Sequence, residues 1–338
     1  MNSAKPTENR LPGLDALRGI AAVCVMVMHL SAMYTGVVQR MAPAYLAVDF
    51  FFLLSGFVMA RTYEDRLRAG RIDTLTFLAM RYRRLWPVMV IGALLSLPFV
   101  VRDSQSWEVA AEVSLPNLFL LPTFAAPEIF PLNVPAWSIF FELLANLGHA
   151  AVVQRLSKHM LAVMVAVFAA ALLLAAWHFG TLDLGARKVT MIGGLVRVCF
   201  AYGLGVLLWR LHGDRAPIPV PPLLALVAMP VLFTAATRWG FAGWGFDLAF
   251  VLFGCPLILW GGLRMRGFGR LAGMAGALSF PLYAVHYPLL LGAEALGLVP
   301  LAGLTLAMAV AAIIIWLFTA GPRATSVTSH GVASQPNV

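Results

Sequence analysis

The sequence predicts an all-α integral membrane protein, a bundle of about ten transmembrane helices with its N- and C-termini in the cytoplasm. Of the 338 residues, 61% are hydrophobic and 12% are charged, whereas a soluble domain is about half apolar and about a quarter charged. The apolar runs are continuous and about 20 residues long, the length of a helix that crosses a bilayer. Strands of a membrane barrel are shorter and alternate in polarity, so the run length favours helices.

Ten apolar segments are predicted to span the membrane. The second is the weakest, because it is short and begins with Asp49. The ninth contains Pro281 and Pro288, so we expect it to be kinked or broken near its end. The predicted limits are 17–35, 46–61, 85–101, 134–153, 160–178, 190–210, 222–237, 244–262, 272–292 and 300–319.

The basic residues lie mainly in every second connection between these segments. By the positive-inside rule those connections face the cytoplasm, and an even number of spans then places both termini there. We expect a cytoplasmic N-terminal segment over 1–10, a single transmembrane domain over 11–320 and a polar, disordered cytoplasmic tail over 321–338. The clustering accounts for the net charge of +9 without a nucleic-acid partner. The cysteines lack metal-ligand spacing, so no metal site is predicted.

The first span carries two ionisable side chains, Arg18 and His29, with ten residues between them. Eleven steps are close to three helical turns, so both side chains point the same way, separated by roughly 16 Å along the axis. Ionisable groups are costly inside the hydrocarbon core, and each is a functional hypothesis by default. The alternative is a snorkelling arginine and an interior histidine with an ordinary hydrogen bond.

Asp49 opens the second span, in the run DFFFLLSGF. A carboxylate at the outer edge of that span would be able to hydrogen-bond one nitrogen of His29, orient its ring and raise its basicity. The alternative is a helix N-cap residue that faces the preceding loop. The residues alone slightly favour the N-cap.

Arg81 and Arg84 lie three residues apart in RYRRLWP, just before the predicted third span, so they share one helical face. Guanidinium groups bind phosphate oxygens in bidentate geometry. The alternative is an ordinary cytoplasmic anchor against anionic lipid, since such basic clusters are common at membrane surfaces.

Polar stripes also occur in the fourth and ninth spans. In the fourth, Glu142 lies deep enough to need a partner or a proton, whereas its polar neighbours favour a structural hydrogen-bond network between helices. In the ninth, Ser279, Tyr283 and His286 recur at i, i+4 and i+7. They would supply hydrogen bonds to a polar ligand, or they belong to an interfacial aromatic belt.

Together these segments resemble the membrane acyltransferase-3 family, which includes O-antigen and exopolysaccharide O-acyltransferases. The pieces that carry the resemblance occur in order within 11–288: LPGLDALRGIAA with its R-x10-H spacing, DFFFLLSGF, R-x-x-R within RYRRLWP, WSIFFE and LSFPLYAVHYP. The resemblance implies ten membrane helices in a bacterial inner membrane. It also implies transfer of an acyl group, commonly acetyl from acetyl-CoA, to a sugar hydroxyl. The region 155–265 carries nothing diagnostic of the family.

How the donor is held is a hypothesis that combines these motif matches with the chemistry of CoA. Acetyl-CoA, or another acyl-CoA, would be a substrate, with no permanently bound cofactor. Arg81 and Arg84, which match the family's R-x-x-R motif, would hold its phosphates. Arg18, which matches the arginine of the R-x10-H pair, would guide the pantetheine arm.

The remaining candidate residues are expected to serve the acceptor. His29, the histidine of the R-x10-H pair, would act as a general base towards the acceptor hydroxyl or would carry the acyl group itself. Asp49 would orient the ring of His29, and Glu142 would set the protonation or geometry of the core. The residues expected to position a sugar or to stabilise the oxyanion are Tyr283, His286 and Ser279.

Two other functions fit the same features. One is an acyltransferase for a small molecule or a lipid precursor, which would use the same catalytic core. The other is a transporter or flippase of a lipid-linked or acylated substrate, because polar residues at depth also mark transport pathways. The expected partners are the lipid bilayer, acyl-CoA and a carbohydrate acceptor, and the oligomeric state stays open.

Overall fold

The computed structural model describes residues 10–34, 39–104 and 106–320. Within these ranges the regular secondary structure is helical, and an isolated antiparallel bridge joins Glu128 to Arg187 in the loops between helices. Three short 3-10 helices and one π-helical turn, Phe250–Gly254, interrupt the α-helices. The α-helices are α1 Pro12–Met33, α2 Ala47–Arg68, α3 Thr74–Asp103, α4 Trp107–Leu118, α5 Ala136–Ala151, α6 Lys158–Phe179, α7 Met191–His212, α8 Pro222–Trp239, α9 Trp244–Ala249, α10 Cys255–Leu263, α11 Gly269–Ala295 and α12 Pro300–Ala320.

Within the described residues, ten helical segments are long and apolar enough to cross a membrane, which confirms the predicted fold class. The eighth span is a composite in which the π-helical turn joins α9 to α10 over Trp244–Leu263. The second span, predicted as the weakest, extends over Ala42–Arg68. The cytoplasmic location of the termini stays a prediction, and the segment 1–9 and the tail 321–338 lie outside the described residues.

The third helix differs most from its predicted limits. It begins at Thr74, where the side chain of Asp73 caps the helix by accepting from the backbone N–H of Thr76 at 2.9 Å. The hydroxyl and backbone N–H of Thr76 together hold the pKa of Asp73 below its usual value. The arginines of RYRRLWP therefore lie inside α3 rather than before it, because the cap and the amphipathic first turns extend the helix beyond its apolar part.

The ninth span does not break. Helix α11 continues through both Pro281 and Pro288, so of the two expected outcomes the break was wrong, and the kink stays a prediction. Helix α11 packs along α1, α3 and α12. Prolines are tolerated in membrane helices because neighbouring helices supply partners for the backbone groups that lose a hydrogen bond. The central position of α11 explains why its polar side chains meet residues from several other helices.

Helix packing places the candidate residues. Helices α1 and α11 run in the same direction, since Gly19 contacts Ala275 near one end and His29 meets His286 near the other. Helix α2 packs closely on α7 through Gly205, where a Cβ atom would lie 2.0 Å from the carbonyl oxygen of Leu53. Helices α1, α2, α3, α5 and α11 consequently converge on one interior volume.

Candidate active site

A cavity of about 390 Å³ lies between these five helices and α12. Six of the nine predicted site residues line it, although they come from four different helices and are up to 265 positions apart (283 − 18). Helix α2 contributes Phe51 and Ser55. The six predicted residues are Arg18 from α1, Arg81 and Arg84 from α3, Glu142 from α5, and Ser279 and Tyr283 from α11.

The charges that line this cavity do not balance. The carboxylate of Glu142 accepts hydrogen bonds from Arg81 at 2.9 Å and from the hydroxyl of Ser55 at 2.8 Å. Within the described part of the chain, neither Arg18 nor Arg84 forms a hydrogen bond or an ion pair. Three guanidinium groups therefore line the cavity with one carboxylate, and the carboxylate of Asp15 lies near enough to interact electrostatically with Arg18 and Arg84. Such a surplus of bidentate donors is suited to a polyanion, above all to phosphate.

The remaining lining is largely apolar. Side chains of Val58, Leu85, Phe280 and Ile315 are examples, and they form much of the wall around the charged groups. Arg81 is buried whereas Arg84 is exposed, so the cavity opens to the protein surface beside Arg84. An anionic head at the arginines and a slim, weakly polar arm along the apolar wall would match this surface.

Tyr283 also lines the cavity. Its hydroxyl lies 2.7 Å from the hydroxyl oxygen of Ser138 on α5, which fixes the position of the phenol ring. The ring centroid lies 5.8 Å from that of His286. Ser279 also lines the cavity, but its hydroxyl donates to the carbonyl of Gly276 in the same helix at 2.7 Å. Tyr283 is therefore the link between the arginine cavity and the histidines.

The two predicted histidines form a pair. Nδ1 of His29 lies 2.9 Å from Nε2 of His286, and their rings stack with centroids 5.1 Å apart. The ring of Tyr287 packs edge-on against His29 at 5.3 Å. Neither histidine is among the described residues that line the cavity. His286 is fully buried, while His29 is partly exposed.

Asp49 is not part of this group, which corrects both sequence-based interpretations. Its carboxylate accepts two hydrogen bonds from Arg197 of α7, at 3.1 Å and 2.7 Å, and it provides no side-chain cap for α2. The guanidinium of Arg197 also donates to the carbonyls of Leu184 and Tyr45. A bidentate charged partner satisfies a buried carboxylate better than a neutral imidazole would. Asp49 therefore belongs to a buried ion pair and does not orient His29.

Arg197 is the residue that sequence reasoning missed. It is fully buried, and its guanidinium also lies over the ring of Trp137, 5.1 Å from the centroid. The sequence does contain a signal for Arg197, because an arginine in the middle of an apolar span needs a partner. Its partner was not predictable, since Asp49 lies 148 residues earlier in the chain.

Asn146 and His149 are the polar neighbours of Glu142 on α5, for which the sequence favours a structural hydrogen-bond network. The ring of His149 and the side chain of Asn146 both hydrogen-bond the hydroxyl of Tyr202 on α7, at 3.0 Å and 3.3 Å. This interhelical network confirms the structural interpretation for both residues. The partner expected for Glu142 is likewise present, in the form of Arg81.

Comparison with known proteins bears on the family of this chain. A family model described as an acyltransferase domain matches residues 11–320. The chain is 32% identical over 183 residues to "Protein 2 in picA locus" of Rhizobium radiobacter, covering 49% of this chain and 94% of that protein. No solved structure matches.

Two further relatives match over shorter stretches. The O-acetyltransferase OatA of Staphylococcus aureus is 33% identical over 92 residues, which are 27% of this chain and 14% of the relative. The acyltransferase MdmB of Streptomyces mycarofaciens is 28% identical over 151 residues, which are 40% of this chain and 38% of the relative. Because the family model spans nearly the whole helical bundle, this chain belongs to the acyltransferase-3 family and is a multi-pass membrane acyltransferase.

Proposed function

We propose that this protein transfers an acetyl group from acetyl-CoA to a hydroxyl group of a cell-surface carbohydrate, in the bacterial inner membrane. The observation that carries the proposal is the charge surplus of the cavity, in which Arg18, Arg81 and Arg84 face the single carboxylate of Glu142. CoA presents phosphate groups at one end of a long, slim arm and a thioester at the other. The cavity offers matching surfaces, with guanidinium groups at one end and an apolar wall beyond them.

The phosphates of the donor would not pass through the hydrocarbon core of the membrane, because moving charged groups out of water is costly. The phosphates would stay at the arginines, beside the opening at Arg84, and the pantetheine arm would extend along the apolar wall towards Tyr283. Glu142 would hold Arg81 in place through their ion pair at 2.9 Å. A relative named an O-acetyltransferase supports acetyl as the transferred group.

His29 would serve as the general base. It would take the proton of the acceptor hydroxyl while the hydroxyl oxygen forms a bond to the thioester carbonyl carbon. The carbon–sulfur bond then breaks, the electron pair leaves with sulfur, and the thiolate takes the proton from His29. The products are an ester and free CoA, and His29 returns to its neutral form. General base catalysis of this kind contributes about 10²- to 10⁴-fold to the rate.

The proposal is tested by turnover of the purified protein. Wild type given acetyl-CoA and an oligosaccharide acceptor should release CoA thiol and form an acetyl ester, detected by mass spectrometry. His29→Ala should abolish release, while Arg83→Ala should leave it unchanged. Arg83 is a matched control, because it is the neighbour of Arg84 but does not line the cavity.

Assays with three kinds of substrate separate this function from its alternatives. Esterification of the oligosaccharide supports the proposal, whereas esterification of only small hydroxyl compounds or lipid precursors contradicts the carbohydrate acceptor. Movement of a lipid-linked substrate across reconstituted vesicles, without any chemical change, contradicts acyl transfer. Full turnover by well-folded His29→Ala protein contradicts the role of the imidazole.

A further inference from the structure

We infer that His286 is a positioning residue that holds His29 in the tautomer with the proton on Nδ1, which leaves Nε2 of His29 free to accept a proton. The inference rests on the proposed function, in which His29 is the general base. It replaces the orienting role that the sequence suggested for Asp49. The geometry that carries it is a chain of three hydrogen-bonding groups: the backbone of α11, the ring of His286 and the ring of His29.

The chain begins at Nδ1 of His286. This nitrogen lies 2.9 Å from the carbonyl oxygen of Tyr283 and 3.1 Å from that of Leu282. Carbonyl oxygens only accept hydrogen bonds, so Nδ1 of His286 must carry a hydrogen. In a neutral imidazole the other nitrogen is then an acceptor. Nε2 of His286 is therefore the acceptor of the pair.

The same logic sets the proton on His29. Its Nδ1 lies 2.9 Å from Nε2 of His286, and a hydrogen bond between them requires that Nδ1 of His29 donate. Nε2 of His29 then has a lone pair and no proton. Within the described residues this atom has no hydrogen-bond partner, and it is not among the polar atoms that are buried without one. The basic nitrogen therefore keeps some accessible surface, which the approach of an acceptor hydroxyl would require.

A charged histidine pair would reverse these roles, but nothing in the surroundings favours it. His286 is completely buried, and burial of an imidazolium without a counter-ion is costly. Among the described residues no carboxylate forms an ion pair with either ring, and Asp49 is bound to Arg197. Two neutral rings with directed hydrogen bonds are the arrangement that these contacts support.

The kinetic test compares two substitutions at one position. Glutamine is able to place an amide oxygen near the position of the imidazole Nε2, so His286→Gln keeps an acceptor for His29. Leucine fills similar space but accepts nothing. We expect His286→Leu to lower kcat about 10- to 100-fold, the range seen when a partner that orients a functional histidine is removed. His286→Gln should stay within about fivefold of wild type, on the same reasoning.

Two controls separate positioning from general damage. The KM for acetyl-CoA should stay within about twofold in both variants, since His286 does not line the cavity and acts through His29. His178→Leu changes an exposed histidine at the end of α6 and should leave kcat unchanged. Equal losses in His286→Gln and His286→Leu, or wild-type kcat in His286→Leu, would overturn the inference.

A spectroscopic measurement tests the tautomer without any turnover. Nitrogen-15 NMR of protein labelled at histidine distinguishes protonated from unprotonated ring nitrogens, and His29→Gln identifies the signals of His29. We expect Nδ1 of His29 to be protonated in wild type and a mixture of tautomers in His286→Leu. Protonation at Nε2 in wild type would overturn the inference even if acyl transfer is observed. Failure of acyl transfer in protein with the expected tautomer would instead count against the proposed function.

Discussion

Two arginine–carboxylate pairs in this membrane protein have the same chemistry and opposite surroundings. In the first, Arg197 and Asp49 are both fully buried, and the guanidinium donates hydrogen bonds to the carboxylate and to two backbone carbonyls. In the second, Arg81 and Glu142 line a cavity that two further arginines also line. The first pair is balanced and closed, whereas the second leaves positive charge facing open volume.

The difference shows how a structural ion pair is distinguished from a binding site. The Asp49–Arg197 pair forms its hydrogen bonds within the protein and presents no unbound donor atom to a ligand, so its role is to join α2 to α7. An unbalanced cluster is costly until an anion arrives, because like charges are held together in a partly dry space. We therefore assign Asp49 to the fold, and under the proposed function the three cavity arginines would bind the donor.

The largest expected effect is on stability at the closed pair. Arg197→Leu or Asp49→Asn should lower the free energy of unfolding by about 3–5 kcal/mol, since removal of one partner leaves the other buried without compensation. Thermal or denaturant unfolding of the detergent-solubilised protein measures this loss. The double variant Asp49→Leu with Arg197→Leu should recover much of it, because apolar residues often replace a buried pair without net cost.

That double variant also sharpens the comparison. If Asp49 acted on His29, the recovered protein would stay inactive. Our assignment instead predicts that a double variant that folds keeps acyl transfer within a few-fold of wild type. Stable but inactive protein would return Asp49 to the catalytic group.

The next largest effect is on donor binding at the open cluster. Arg18→Gln and Arg84→Gln should each raise the Kd for CoA about 10- to 100-fold, which corresponds to about 1.5–3 kcal/mol for a hydrogen bond to a charged group. Neither change should lower the unfolding temperature, because within the described part of the chain neither arginine forms a hydrogen bond or a close ion pair. Isothermal titration measures the Kd. A loss of stability without a loss of affinity would make these arginines structural.

A smaller effect is expected at Ser55. Its hydroxyl donates to Glu142 at 2.8 Å, so Ser55→Ala removes one hydrogen bond that positions the carboxylate beneath Arg81. Such a bond contributes about 0.5–1.5 kcal/mol, and we expect the KM for acetyl-CoA to rise about 2- to 10-fold with little change in kcat. A fall in kcat at constant KM would place Glu142 in the chemical step instead.

The smallest effect is that of salt. Affinity for CoA should fall as ionic strength rises, since the cavity opens to the surface and screening acts on charges within reach of solvent. The buried Asp49–Arg197 pair should be insensitive, so unfolding of a protein without ligand should change little over the same range. CoA binding that is independent of salt would contradict an electrostatic donor site.

Sequence reasoning succeeded where a feature repeats locally and failed where it depends on distant partners. Runs of apolar residues predicted all ten spans, whereas of the pair Arg18 and His29, which were expected to share one face of α1, only Arg18 lines the cavity. Nothing local revealed that His29 would meet His286, 257 residues later, or that Asp49 would face Arg197. Helix limits also shifted, because the capped polar start of α3 extends well before its apolar part.

The measurement that tests the account most directly is CoA binding to a variant in which Arg18, Arg81 and Arg84 are all replaced by glutamine. Wild type and the Arg83→Gln control should bind CoA alike and should bind pantetheine, which lacks the nucleotide phosphates, far more weakly. The triple variant, shown to be folded by its unfolding temperature, should lose the preference for CoA over pantetheine. Wild-type affinity for CoA in the folded triple variant would contradict the assignment of the cavity as the donor site.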